Sequence, residues 1–248
     1  MANPAPQIDK SMHKDIESAK RVLNEEAGAL RALSESIGEP FANAIEIIHT
    51  RKAETEKAPR GRLIVAGIGK SGHVARKIAA TLASTGTPSF FVHPGEASHG
   101  DMGMITKDDV VLMLSNSGEN PELSDLIHYT RRYNIPLIAM TSKPQSTLAN
   151  LADIVLLLPA IAEACPNGLA PTTSTTMMIA LGDALAVSLL ERMALTPDQY
   201  KVFHPGGKLG QKLMKVSEMM VKLDDLPLVS PETTMDQAIL VMTEKNLG

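Results

Sequence analysis

The sequence predicts an α/β fold, a five-stranded parallel sheet flanked by helices. Five short runs are apolar and rich in β-branched or aromatic residues: 63–65, 90–92, 110–114, 137–139 and 154–158. Helical segments separate most of these runs. Uniformly apolar strands that alternate with helices are typical of a parallel sheet covered on both faces. With 248 residues, 44% of them apolar, the chain is long enough for one such domain and an appendage.

Two helices and a connector are predicted before the first strand. Residues 1–10 are proline-rich and polar, and we expect a disordered leader there. From residue 11 to residue 50 the apolar residues recur at helical spacing, and Gly38 and Pro40 separate the two helices. The charged stretch RKAETEKAPR, residues 51–60, is predicted to be a solvated connector.

Two further helices are predicted after the last strand. Residues 172–193 form a long helix that closes the domain, and residues 209–215 form a short one after Gly206 and Gly207. We therefore assign residues 11–215 to the sheet domain.

Composition excludes several classes of protein. The net charge of −4 and the absence of Trp argue against a nucleic-acid partner, which normally meets a basic surface. Cys165 is the single cysteine, so a disulfide framework and a multi-cysteine zinc site are excluded. The amino terminus has no secretory pattern, and the longest apolar stretch, 177–190, contains Gly182 and Asp183. We expect a cytoplasmic protein with no membrane partner.

A glycine loop follows the first predicted strand. Residues 67–72, GIGKSG, match the dinucleotide fingerprint G-x-G-x-x-G, but the second strand ends without the acid that would hold a ribose. A Walker A loop would need glycine at position 64, which is Ile64. Two interpretations stay open: a tight strand-to-helix turn without a ligand, or a loop that faces a small phosphorylated ligand. The presence of both Lys70 and Ser71 favours the second.

A serine loop follows the third predicted strand. Ser115, Asn116 and Ser117 place three small donors at the carboxyl end of that strand, and Gly118 lets the backbone turn closely. Pro121 suits the first turn of the next helix. Donors that converge on a helix N-terminus can hold a phosphate. An ordinary N-cap is the alternative, although one cap residue would suffice for it.

The serine loop resembles the phosphate loop of the sugar isomerase (SIS) family, with Asn120 where that pattern usually has Ser or Thr. Longer segments are similar to the arabinose-5-phosphate isomerases of that family, which feed 3-deoxy-manno-octulosonate (Kdo) synthesis for lipopolysaccharide. They are residues 67–105, 116–119, AEACPNGLAPTTSTT at 162–176, and HPGGKLGQKL at 204–213.

The resemblance implies a set of site residues and an assembly. It implies four catalytic residues: Lys70, Glu119, Glu163 and His204. It implies substrate contacts from Ser71, Gly86, Thr87, His93, His99, Ser115, Asn116 and Ser117. Members can bind zinc, which inhibits, and His93 is the metal candidate on that basis. The resemblance also implies a homotetramer. The chemistry of the isomerisation itself requires no metal or organic cofactor.

Aldose–ketose isomerisation needs such a set of residues. A base moves a proton between C1 and C2, donors stabilise the enediol oxygens, and an acid/base opens the sugar ring. We assign the base to Glu163, because its segment leaves the carboxyl end of the fifth strand, where ligands bind. Glu163 as a helix-start acid and His204 as a turn residue are the alternatives. The sequence leaves open the exact sugar, and a sugar-phosphate-sensing regulator is the rival class.

The last segment, residues 216–248, resembles the opening of a cystathionine-β-synthase (CBS) motif, a pair of which follows the isomerase domain in this family. The matching positions are Met219, Pro227, Val229, Thr234, Ala238 and Met242. The segment is about half of one motif. Whether it is cut short or naturally degenerate stays open.

Overall fold

The computed structural model describes residues 10–52, 61–204 and 216–246. The chain divides into two compact units, Met1–Thr196 and Pro197–Gly248, which we call the sheet domain and the C-terminal unit. The predicted leader at 1–9, most of the predicted connector and the predicted helix at 209–215 lie outside the described residues. The proposed domain end at residue 215 lies there too and stays a prediction.

Five parallel strands form the sheet, as the sequence predicts. They are β1 (Leu63–Gly67), β2 (Ser89–Val92), β3 (Val110–Leu114), β4 (Leu137–Thr141) and β5 (Ile154–Leu157). Their order is β2-β1-β3-β4-β5, and every neighbouring pair is parallel. The three central strands β1, β3 and β4 are buried at every position, which explains why their sequences are almost entirely apolar.

Helices cover both faces of the sheet. One face carries α1 (Lys10–Ser36), α2 (Glu39–Lys52), α3 (Gly69–Ser84) and α7 (Thr173–Arg192). The other carries α4 (Pro94–Ala97), α5 (Ser124–Arg132) and α6 (Thr147–Leu151). Along β1, Leu63 and Val65 belong to the first core, and Ile64 and Ala66 to the second, as strand alternation requires.

Two predicted boundaries shift at the amino terminus. Helix α1 begins at Lys10, which was predicted to belong to the leader. Helix α2 continues through Lys52 and so includes two residues of the predicted connector. Arg and Lys are good helix formers, which allows the helix to extend into the charged stretch.

Helix α7 is the core helix of the sheet domain. By length and composition it could cross a membrane, but half of its most apolar window is buried inside the domain. Gly182 lies against Ile78 of α3, where a Cβ atom would approach the Ile78 side chain to 2.4 Å. The glycine that interrupts the apolar stretch therefore lets α3 and α7 pack closely.

The C-terminal unit contains α8 (Pro197–Phe203), α9 (Val216–Met219) and α10 (Met235–Glu244). Ala238 and Met242, two of the positions that match the CBS motif, lie in α10, and Thr234 occupies its N-cap position. Its apolar residues Met235, Ile239 and Leu240 are exposed. Assignment of this segment to a CBS motif stays a prediction.

A buried carboxylate joins the amino ends of β1 and β3. Asp109 accepts hydrogen bonds from the Arg62 main-chain N–H at 2.9 Å, the Arg62 Nη2 at 2.7 Å and the Thr106 N–H at 2.8 Å. Burial of Asp109, the largest influence, raises its pKa, but these hydrogen bonds outweigh burial and hold the pKa below its usual value. The charged form is therefore the stable form in the fold.

We predict that Asp109→Asn lowers the free energy of unfolding at pH 7 by about 3 kcal/mol. The amide of Asn is uncharged, and its NH₂ group would face the N–H donors of Arg62 and Thr106, to which it cannot hydrogen-bond. The folded pKa lies below the unfolded one, so the contribution is present above the unfolded pKa and is lost as pH falls through the folded pKa. Urea unfolding measures the change, and Asp108→Asn, at a half-buried neighbour, is the matched control. Equal stability of the two variants would contradict the prediction.

Candidate active site

The loops after β1 and β3 meet at the carboxyl edge of the sheet. Gly67 at the end of β1 pairs with Leu114 at the end of β3. The strand order reverses between these strands, which creates the crevice where open α/β sheets bind ligands. The glycine loop and the serine loop therefore open onto one crevice.

The glycine loop brings α3 close to the sheet and leaves its polar side chains available. A Cβ atom at Gly72 would lie 2.7 Å from the Gly67 carbonyl oxygen, so the packing of helix on strand requires glycine. At Gly69 the space around a Cβ atom would be open, but the φ angle of +58° favours glycine. Lys70 is exposed and Ser71 half-buried in the first turn of α3. Neither side chain hydrogen-bonds to another described residue.

The serine loop divides its three predicted donors among different roles. The buried Ser115 hydroxyl donates to Asn120 Oδ1 at 2.6 Å and accepts from the Gly118 N–H at 2.9 Å. Asn116 Oδ1 is buried without a partner among the described residues. Ser117 is exposed. Ser115 and Asn120 thus organise the loop. The Ser117 hydroxyl accepts from the Glu119 N–H at 3.3 Å and keeps its own proton available to a ligand.

Glu119 lies against the N-terminus of α6. Its carboxylate accepts from the Thr147 N–H at 2.8 Å and from the Thr147 hydroxyl at 2.7 Å. The hydroxyl bond first, and then the main-chain bond, lower the pKa of Glu119. Glu119 lines a cleft of about 270 Å³ together with Ser117, Lys143, Pro144, Gln145 and Ser146, so it lies beside the serine loop.

Glu163 lies against the N-terminus of α7, the arrangement that was the alternative to a catalytic role. Its carboxylate accepts from the Thr172 N–H at 2.7 Å, from the Ser174 N–H at 3.2 Å and from the Ser174 hydroxyl. Burial, the largest influence, raises the pKa of Glu163, but the Ser174 hydroxyl and the main-chain bonds outweigh it and the pKa is lowered. Glu163 is half-buried and is ionised at neutral pH.

Several polar residues at this edge were not identified from the sequence. Thr147, Thr172 and Ser174 hold the two acids, and the signal was present, since Ser and Thr are preferred at helix starts. Glu122, a second acid after the serine loop, is exposed in a 3₁₀ turn, Pro121–Leu123, and has no partner among the described side chains. The phosphate-loop pattern of the SIS family, S-x-S-G-E, matches residues 115–119 and ends before Glu122. No motif therefore pointed to Glu122.

The structure does not bring Gly86 and Thr87 together with these loops. They precede β2, and Pro88 accepts a hydrogen bond from the Leu63 N–H at the start of β1. They therefore lie at the amino edge of the sheet, about 13 Å along a four-residue strand from the carboxyl edge. Gly86 has φ +87°, and the Thr87 hydroxyl is buried without a partner among the described residues. Within one chain they lie at the edge opposite the two loops, so their contact with the substrate stays a prediction.

His93 and His99 follow β2 at the carboxyl edge. His93 Nδ1 accepts from the Gly95 N–H at 3.2 Å and caps α4, while His99 is exposed. A neutral ring that accepts at Nδ1 carries its proton on Nε2, so binding a metal through Nε2 would give up the cap. Over the described ranges no group of three or more His, Cys, Asp or Glu could hold a metal ion. His93 does not fit a resident zinc site, and a weak zinc contact stays a prediction.

His204 belongs to the C-terminal unit, directly after α8. Its ring stacks on Tyr200 with centroids 4.3 Å apart, and Nδ1 lies 3.1 Å from the Tyr200 carbonyl oxygen. The carbonyl fixes a proton on Nδ1 and leaves Nε2 as the free nitrogen. The ring is therefore able to exchange a proton at Nε2.

Comparison with known proteins places these features in context. A model of the SIS domain matches residues 58–188. Arabinose 5-phosphate isomerase KdsD of Pseudomonas aeruginosa is 50% identical over 94% of this chain and 69% of its own length. KdsD of Escherichia coli K12 is 46% identical over the same shares, 94% and 69%. A solved protein of E. coli CFT073 in complex with A5P superimposes with a TM-score of 0.73 at 38% identity, covering 80% of this chain and 100% of that one.

Proposed function

We propose, because the chain belongs to the SIS-domain family of arabinose 5-phosphate isomerases, that it interconverts D-arabinose 5-phosphate and D-ribulose 5-phosphate. The observation that carries the proposal is the carboxyl edge of the sheet. There the serine loop, a lysine in the first turn of α3 and two carboxylates with lowered pKa values lie along one edge of the sheet. An aldose phosphate needs this combination of groups for isomerisation.

The phosphate binds first, at the serine loop. The Ser117 hydroxyl accepts from the Glu119 N–H at 3.3 Å and donates its own proton to the phosphate. Asn116 donates through its amide Nδ2, and Ser115 holds the loop in shape through Asn120 and Gly118. Ser71 in the first turn of α3 contributes from the neighbouring loop, and the helix N-terminus favours negative charge. Binding at this end leaves the sugar carbons to extend along the crevice.

The proton transfer uses Glu163 as base. Its ionised carboxylate removes the proton from C2 of the open-chain aldose and returns it to C1, through an enediol. Lys70 stabilises the developing negative charge on oxygen, and Glu119 orients the pair or relays a proton between the two oxygens. Glu163 is preferred over Glu119 because Glu119 lies beside the phosphate loop, where the phosphate charge opposes its ionisation.

Ring opening uses His204, whose Nε2 is able to exchange a proton with the sugar oxygens. We further propose that His204 acts in the site of a neighbouring subunit, as the resemblance implies. No step requires a metal or an organic cofactor. Zinc binding at His93 is inhibitory in this account.

We place the reaction in the cytoplasm, where it supplies Kdo synthesis. A non-catalytic sugar-phosphate sensor is the alternative function, because a sensor needs the phosphate loop and no base. The 46–50% identity to KdsD isomerases over 94% of the chain favours the enzyme.

We propose a homotetramer, supported by an exposed apolar stripe on α1. Met12, Ile16 and Leu23 are 54%, 45% and 66% exposed, and with Ala19 they follow the 4-3-4 spacing of a coiled-coil seam. In parallel pairing of two copies, Asp15 would face Lys20 of the second copy, an attractive contact across such a seam. A second copy of this chain therefore fits the stripe.

The purified protein should convert D-arabinose 5-phosphate into D-ribulose 5-phosphate with EDTA present, because the chemistry needs no metal. A colorimetric ketose assay measures the product, and added zinc should slow the reaction less in His93→Gln than in the wild type. Binding of the sugar phosphate without turnover would contradict the enzyme and favour the sensor.

For the assembly, we predict that Leu23→Asp shifts the wild-type tetramer to smaller species, because it places a charge in the apolar seam. Asn24→Asp adds the same charge at the exposed neighbouring position and should leave the tetramer intact. Sedimentation velocity at micromolar concentration compares them. A monomeric wild type with full activity, or a tetrameric Leu23→Asp, would refute the assembly.

A further inference from the structure

The first turn of α7 holds the Glu163 carboxylate with both of its oxygens. One oxygen accepts from the Ser174 hydroxyl, and the other accepts from the Thr172 N–H at 2.7 Å, the Ser174 N–H at 3.2 Å and the Thr172 hydroxyl at 3.2 Å. Ser174 is 3% exposed, so water does not compete for its hydroxyl. The carboxylate plane is fixed by contacts on both sides.

The main chain beside Glu163 is fixed as well. The Ala164 N–H donates to the hydroxyls of Thr172 and Thr173, both at 3.0 Å. On the opposite side, Nη1 of Arg21 in α1 donates to the Ala164 carbonyl oxygen at 3.1 Å. Arg21 also pairs with Glu25, so these two charges partly cancel next to the loop.

We propose that Ser174, together with Thr172, is a positioning residue that orients the Glu163 carboxylate for proton transfer. The inference rests on the proposed isomerase function and deepens it, since neither residue was among the predicted site residues. Ser174 does not need to touch the substrate, because its contact is with the base.

Two opposing effects follow from this contact. Hydrogen bonds to the carboxylate make it a weaker base, which slows proton transfer modestly. They also prevent the carboxylate from rotating away, and a misplacement of about 1 Å can slow a reaction about a hundredfold. Orientation is the larger effect, so loss of the Ser174 hydroxyl should slow the enzyme even though Glu163 becomes more basic.

Removing the hydroxyl therefore gives a specific kinetic pattern. In Ser174→Ala, kcat should fall roughly ten- to hundredfold with KM nearly unchanged, because the phosphate loop is untouched. The acidic limb of the kcat profile should move to higher pH, because the pKa-lowering bond from Ser174 is lost. Ser174→Thr keeps a hydroxyl and should restore most of the rate.

Two controls separate positioning from damage to the fold. Thr176→Val changes a half-buried hydroxyl in the same turn of α7 that contacts no part of Glu163 and should keep wild-type kcat. Thermal unfolding checks that each variant is folded at the assay temperature. A fall in kcat with an unmoved acidic limb, or an unchanged kcat in Ser174→Ala, would overturn the proposal.

A second measurement is independent of turnover. Carboxyl-detected NMR titration of ¹³C-labelled glutamate, with Glu163 assigned by its loss in Glu163→Gln, should show a higher midpoint in Ser174→Ala than in the wild type. An unchanged midpoint would overturn the contact itself. A higher midpoint in Ser174→Ala, together with a wild-type protein that does not isomerise the sugar, would instead refute the proposed function and confirm the contact.

Discussion

All five strands run in the same direction, so each loop that leaves a strand opens onto one edge of the sheet and then enters a helix by its N-terminus. The starts of α3, α6 and α7, whose first main-chain N–H groups have no acceptor within the helix, therefore lie at the same edge of the sheet. These groups give the edge a partial positive charge. The charge favours two kinds of anion: the phosphate of a ligand and the carboxylates of Glu119 and Glu163.

The position of the two acids has a chemical consequence. General bases are often tuned upward by burial until their pKa approaches neutrality, but hydrogen bonds from helix starts lower the pKa of Glu119 and Glu163. Glu163, which we propose as the base, is therefore ionised at neutral pH and is intrinsically a weak base. In our proposal its effectiveness comes from orientation by the contacts of Ser174 and Thr172.

The sequence predicted the sheet well, because a strand that is buried on both faces appears in the sequence as an unbroken apolar run. For β3, the predicted run at 110–114 coincides with the strand in the structure. The sequence also placed the serine loop at the carboxyl edge, since a loop that follows a parallel strand lies there; the role of that loop in phosphate binding stays a prediction. It did not predict the partners of the acids: Glu163 and Ser174 are eleven residues apart, joined by an irregular loop without periodicity. Gly86 and Thr87 came from the resemblance alone, and their position before β2 places them at the other edge.

Exchange of the substrate proton at C2 with deuterated solvent tests the identity of the base most directly. With an open-chain or fast-opening substrate, Glu163→Gln should abolish exchange, while His204→Asn should slow turnover and preserve exchange, because ring opening is then bypassed. Glu119→Gln and Glu122→Gln, changes at the two acids near the phosphate loop, should retain measurable exchange. Normal exchange in Glu163→Gln together with its loss in either of those two variants would contradict the account and assign the base to the serine loop.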